Sequence, residues 1–199
     1  MKKDKMYENC LIVVDMVNGF VREGMLADPN IAKIIPVQVG LIKEAQQEDK
    51  LIVFIKDTHQ KDSEEFRRFG GEHCVKGTYE AELVDELKRY ENLQNAVSIE
   101  KNSTSFMEAP QFRNLIVNQK NMVNYEIVGC CTDICVVNGA IGLANYLDQW
   151  NRLHNITVYE DAIATYGEAA RQEYVKAAEL LMKQQGINYI RTRERKERR

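Results

Sequence analysis

The residues able to do chemistry lie at four separated places in the sequence. The most suggestive is Gly129-Cys130-Cys131-Thr132-Asp133-Ile134-Cys135-Val136-Val137. It follows an apolar run, 123–128, that reads as a buried strand. It precedes Ala140, Leu143, Ala144 and Leu147, apolar residues at helical spacing. A cysteine at a strand-to-helix turn faces the free N–H groups and positive dipole end of the helix, which favour a thiolate. The competing reading of Cys135 is a small buried hydrophobe opening a core helix. This stretch alone leaves the two readings level.

Asp15 ends the apolar run Cys10-Leu11-Ile12-Val13-Val14. It is a carboxylate at a strand's carboxyl end, where open α/β sheets place their sites, or else a turn or helix-capping residue. Asp57 and His59 are two apart and can point the same way from an extended segment. With His73 they form a set suited to Zn²⁺, Fe²⁺ or Mn²⁺, with positions left for water or ligand. An Asp-x-His pair is a weak signal by itself, because loop histidines without a ligand are commoner. Lys101 follows a short apolar stretch, 96–100. Its bland reading is an exposed lysine.

The elements that position these residues alternate in type. Apolar runs at 10–14, 51–55 and 123–128 read as buried strands, and shorter stretches at 96–100, 156–159 and 187–190 read as further strands. Helical patterns lie between them at 31–48, 80–90, 112–117, after Cys135, and at 167–185. The last carries Ala170, Tyr174, Ala177, Ala178 and Leu181 on its apolar face. Pro36 is tolerable only near the start of its helix. The segment 57–77 is a long loop, of the kind that usually serves function. Alternating strands and helices predict a doubly wound α/β fold, a six-stranded mostly parallel sheet with helices on both faces. In such a sheet Asp15, Asp57/His59, Lys101 and Cys135 can meet in one crevice. Asp15 could take the thiol proton there, and Lys101 could hold the anions and lower the thiol pKa.

Composition narrows the classes. The 199 residues suit one domain over 1–190 and a basic tail over 191–199. The chain carries a net charge of −3 despite a tail of six basic and two acidic residues. Its acidic body argues against a nucleic-acid surface. No apolar run can span a bilayer and no signal-peptide pattern follows the charged start, so the expectation is a cytoplasmic protein without membrane contact. Five cysteines, an odd count, argue for thiols rather than a disulfide framework. Cys10 and Cys74 read as buried structural thiols, and His154, just before a strand, reads as structural.

The sequence resembles the cysteine hydrolases of the isochorismatase-like superfamily, most of all the nicotinamidases. The resemblance runs from about residue 11 to 190. It rests on Val14-Asp15-Met16-Val17-Asn18-Gly19-Phe20, Asp57-Thr58-His59, His73-Cys74-Val75-Lys76-Gly77-Thr78, Lys101 and the Cys135 stretch, in the family's order. It implies a catalytic triad of Asp15, Lys101 and Cys135. It implies one divalent metal, zinc before iron or manganese, on Asp57, His59 and His73, with Glu65 reaching it through a water. It further implies a cis peptide before Cys131, with the N–H groups of Cys131 and Cys135 as oxyanion hole, and Phe20 packed on a substrate ring. Phe69 stands in for an aromatic that many nicotinamidases place, with prolines, before the matching histidine; here Gly70 and Gly71 loosen that loop. The implied activity is hydrolysis of nicotinamide to nicotinate and ammonia through a thioester, by a self-associating enzyme. The alternatives are another small amide or ureido substrate, a non-catalytic metal- or ligand-binding member of the fold, and a redox sensor built on Cys135. Isochorismatase itself is disfavoured, because those members lack the Asp-x-His pair and the catalytic cysteine.

Overall fold

The computed structural model describes residues 5–197. In chain order the regular elements are β1 (Asn9–Val14), α1 (Asn18–Val21), α2 (Ile35–Gln47), β2 (Leu51–Asp57), α3 (Phe66–Phe69), α4 (Asp85–Lys88), β3 (Ala96–Lys101), α5 (Pro110–Asn118), β4 (Asn124–Cys130), α6 (Val137–Gln149), β5 (Asn155–Ala164), α7 (Glu168–Gln184), β6 (Asn188–Ile190) and α8 (Thr192–Glu197). The six strands form one sheet in the order β3-β2-β1-β4-β5-β6, and every pairing is parallel. Winding proceeds one way from β1 through β3, then reverses to place β4 on the other side of β1. At such a reversal the carboxyl ends of the two central strands part and leave a crevice.

Successive side chains of a strand face opposite sides, so covering both faces requires every position to be apolar. Ile12 and Val14 of β1 pack with Phe112 and Ile116 of α5, Leu143 and Leu147 of α6, and Met182 of α7. Leu11 and Val13 pack the other way, against Ile42 and Ala45 of α2. Among the described residues no helix is long and apolar enough to cross a membrane.

Several local expectations are corrected. The helix expected over 80–90 is broken into a 3₁₀ turn, Tyr79–Ala81, and the single turn of α4. The residues between are drawn into extended pairing with the segment after β1. Asn18 N–H donates to the Glu82 carbonyl, Val84 N–H donates to Met16, and Val17 bridges Leu83. Likewise, the helix expected from residue 31 starts as a 3₁₀ turn capped by Asp28 and becomes α-helical only at Ile35, next to Pro36. In α7 the buried residues are Ala178 and Met182, whereas Tyr174 and Leu181 are 62% and 50% exposed. The expected apolar face was therefore rotated. Strand β5 runs on to Ala164, well past the expected 159, and Lys101 is the last residue of β3 rather than the one beyond it. The described part of the basic tail forms α8, tied down by Thr192 on Asp161 and Arg191 on Glu160. Residues 198–199 lie outside the described residues. All five cysteines are free thiols, with Cys10 and Cys74 buried as expected.

Gly129 sets how closely the two central strands approach. Its φ is +123°, and a Cβ there would lie 2.0 Å from the Val14 carbonyl oxygen. No relaxation of a side chain can relieve contact with backbone. Gly129→Ala should therefore destabilise the fold by about 3 kcal/mol, from overpacking plus an unfavourable φ. Urea unfolding with an unchanged slope and a lowered midpoint would show it; an unchanged midpoint would refute this account.

Candidate functional site

The carboxyl ends of four neighbouring strands deliver the chemistry-bearing residues. Asp15 follows β1 with φ +51°, a left-handed conformation that aspartate tolerates better than most residues. Two bonds hold it there. Its N–H donates to the Ile55 carbonyl at 2.9 Å, and its own carbonyl accepts from the Cys130 thiol at 3.1 Å. Asp57 and Lys101 end β2 and β3 in direct register. Cys135 sits in a π-helical turn, Thr132–Val136, whose start is fastened by the Cys131 carbonyl accepting from Ile134 and Val136 N–H. The α-helix proper begins only at Val137, so the nucleophile candidate stands in the turn before the helix.

These ends converge on the Lys101 ammonium, which is 2% exposed. Its Nζ lies 2.9 Å from Asp15 Oδ2, 2.6 Å from Asp57 Oδ1 and 3.6 Å from Cys135 Sγ. Burial opposes its charge, but Asp15 and Asp57 prevail and raise its pKa well above the ordinary lysine value. Burial pushes Asp15 up against the pull of Lys101, and the like charge of Asp57 adds to that rise, to about 7. For Asp57 burial acts upward too, but Lys101 and His59 outweigh it and bring the carboxyl down to about 2. Burial likewise holds the Cys135 thiol well above its usual value, and Lys101 offsets this only in part. The sequence-based expectation of a lowered thiol pKa is thus reversed. Cys135 rests as a thiol, and activating it requires a base beside it. Asp15, ionising near neutrality, has the right affinity for a proton.

Asp57 also faces the histidines. Its Oδ2 lies 2.9 Å from His59 Nε2 and 3.8 Å from His73 Nε2, and the three residues can offer ligand atoms within 4.8 Å of one another. The outer nitrogens have acceptors. His59 Nδ1 meets Asn102 Oδ1 at 2.7 Å and His73 Nδ1 meets the Gly71 carbonyl at 3.0 Å. His59 Nε2 shares a proton with Asp57 Oδ2 in a hydrogen bond, and the acceptors at Nδ1 would hold each imidazole's proton there if a cation took that place. A carboxylate and two imidazole nitrogens converging in this way make a ligand set for one cation. The outer bonds are the supports that metal-binding histidines usually have. The residues present thus fit a divalent ion of the zinc, iron or manganese kind.

A narrow cleft with about 20 Å³ of free volume joins the two groups. Asp57, His73 and Glu65 line one end, Cys131 and Cys135 the other, and Phe20, Leu26, Phe69, Ile134 and Tyr166 wall it. Phe20 and Phe69 flank His73, with ring centroids 6.2 and 6.1 Å away. Glu65 is buried, and its Oε2 has no hydrogen-bond partner; Arg68 stands off at 3.7 Å. The peptide Cys130–Cys131 is cis, and the Cys131 N–H has no acceptor among the described residues. All the residues singled out in the sequence are therefore brought to one place. His154 is remote from it, resting on the Arg152 carbonyl.

Sequence reasoning missed Asn102, Leu26, Ile134 and Tyr166. Asn102 was findable as the neighbour of Lys101. Tyr166 was not, because only the unexpected length of β5 carries the chain back to the cleft.

A family model described as the Isochorismatase domain matches residues 9–194. The chain belongs to the isochorismatase family. It is a hydrolase of that family, acting on amide C–N bonds. Nicotinamidase 1 of Arabidopsis thaliana is 29% identical over 171 residues, covering 78% of this chain and 69% of that protein. Among solved structures, the zinc complex of the Pyrococcus horikoshii pyrazinamidase is 29% identical, with a TM-score of 0.73 over 92% of this chain and 99% of that one. N-carbamoylsarcosine amidase from Thermoplasma acidophilum is 27% identical, with a TM-score of 0.71 over 92% of this chain and 96% of that one. The isochorismatase-family sheet is therefore shared with amidases of more than one substrate type.

The metal fit has a direct test. Protein stripped by chelation should take up one equivalent of Zn²⁺ in calorimetry. Its unfolding free energy should rise by about 2.7 kcal/mol at free zinc 100-fold above Kd. His73→Ala should weaken that uptake at least tenfold. Equal uptake by the variant would remove His73 from the ligand set.

Proposed function

We propose that this isochorismatase-family hydrolase cleaves the amide of a small, flat heteroaromatic carboxamide, nicotinamide first, to the carboxylate and ammonia. The observation that carries the reading is the single ammonium of Lys101 touching Asp15, Asp57 and Cys135 beside a group fit for a metal. Such a cleft has a reacting end and a holding end. Its aromatic walls suit a ring whose amide reaches Cys135, and they must part to admit it, since the free volume is close to that of one water.

In this mechanism Asp15 takes the Cys135 proton while Lys101 stabilises the thiolate that forms. The thiolate attacks the amide carbon, and the N–H groups of Cys131 and Cys135 receive the oxyanion. Asp15 gives its proton to the leaving nitrogen, the C–N bond breaks and ammonia departs. Asp15 then deprotonates water, which attacks the thioester carbon. The C–S bond breaks to release the acid, and the cycle ends with Cys135 reprotonated. Asp57, His59 and His73 would hold the divalent ion, zinc before iron or manganese, and Glu65 would reach it through water. When bound, the ion supplies a Lewis-acid contact for a ring nitrogen and so orients the substrate. Phe20 and Phe69 pack on the ring.

The likeness to an N-carbamoylsarcosine amidase favours a second reading, the same chemistry on a ureido compound. The reading also includes self-association, which the family resemblance implies, and a cytoplasmic location.

Purified protein should release ammonia from nicotinamide, and Cys135→Ala should abolish the release. Silence on nicotinamide but turnover of N-carbamoyl amino acids would select the second reading. Silence on both would sink the two substrate readings and move the search to other small amides. The acid limb gives a further check. The step needs Asp15 as carboxylate, and its carboxyl ionises at about 7. Hence kcat/KM should fall tenfold per unit as pH drops below about 7 and level off above it. A flat profile from pH 6 to 8 would rule out Asp15 as the base.

A further inference from the structure

Asp133 belongs to the cysteine motif but takes no part in the mechanism above. Its side chain is 1% exposed. Thr165 Oγ1 donates to it at 2.6 Å, Arg171 Nε donates at 2.8 Å and Arg171 Nη2 lies 2.5 Å away. A guanidinium gripping one carboxylate through two nitrogens has a fixed orientation, unlike a lysine on the same partner. The same guanidinium lies over the Tyr166 ring at 4.7 Å and the Tyr174 ring at 5.1 Å, and its Nη1 reaches the Tyr166 hydroxyl at 3.3 Å. Tyr166 in turn walls the cleft beside Cys131, Ile134 and Cys135. The segment is pinned from its other side by Gly167 N–H donating to Asp28 at 2.8 Å.

We infer that Arg171 is a positioning residue that fastens the turn carrying the nucleophile to the wall of the substrate cleft. Through Asp133 it fixes the turn between Cys131 and Cys135, and so the direction of the thiol and of the Cys131 N–H. Through Tyr166 it fixes how far that side of the cleft is closed. One charged group thus sets both alignment and enclosure. The turnover arm of its test rests on the amide-hydrolase reading, whereas the labelling arm does not.

The test compares Arg171→Met and Arg171→Lys with the parent, and uses Lys183→Met as a control for loss of an α7 ion pair away from the cleft. Iodoacetamide labelling is followed peptide by peptide, together with kcat and KM. Arg171→Met should lower kcat and raise KM, each about tenfold, as expected for a small misplacement of reacting groups and a loosened wall. Labelling of Cys135 should quicken several-fold while Cys10 and Cys74 stay protected. Arg171→Lys should recover part of kcat through its charge on Asp133, short of the parent because it lacks the two-nitrogen grip. It should leave KM and Cys135 labelling near the methionine values, because it cannot brace the Tyr166 ring. Unchanged Cys135 labelling in Arg171→Met would overturn the inference. So would labelling of Cys10 and Cys74 that rises in step, since that marks general loosening, or a lysine variant that restores nothing. If the parent turns over no amide, the proposed function fails while the labelling result still decides this one.

Discussion

The structure depends on one buried cation. Lys101 has its ammonium sealed at the end of β3, in contact with carboxylates from β1 and β2. A charge taken out of water is tolerable only when partnered at close range, and removing one partner strands the others. Three strands must therefore end level with one another. A parallel sheet in direct register provides that, since all its carboxyl ends face one way. The close approach of β1 and β4 at Gly129 brings the fourth strand to the same level and leads the chain into the Cys135 turn.

Burial then divides the labour among the acids. Asp15 and Asp57 touch the same ammonium, yet one is pushed up and the other held down. The difference comes from their second neighbours. Asp57 has His59 on its far oxygen, a favourable partner for a carboxylate. Asp15 has the uncharged Cys135 thiol and the repulsion of Asp57. Two carboxylates at one lysine thus become a permanent anion and a titrating base, an arrangement suited to acid–base work.

Much of this was legible in the sequence. Strands buried on both faces show as continuous apolar runs, and in a parallel sheet a polar residue ending such a run already has a location. Asp15, Asp57 and Lys101 could be placed that way before any coordinates, and the family resemblance supplied their roles. What stayed hidden depended on tertiary contacts. The 80–90 segment has a helical pattern, but pairing with residues 16–18 pulls it straight. Helix α7 has more apolar residues than it buries, so its pattern could not say which way it faced. The resting state of Cys135 was misjudged because sequence shows a nearby cation and a helix start but not the depth of burial. In this turn depth prevails.

Asp57 has one oxygen on Lys101 and the other toward His59 and His73. It is a shared wall between two rooms. Under the proposed metal reading, a change made at Asp57 would not be assignable to one of them, because loss of ligand and loss of counter-ion would arrive together. Under that reading His73 speaks for the holding end alone, and Cys135 for the reacting end alone. Under the same reading a lineage adapting to a different ion could vary His73 at little cost to the lysine, but it could give up this aspartate only by rebuilding the lysine's setting as well.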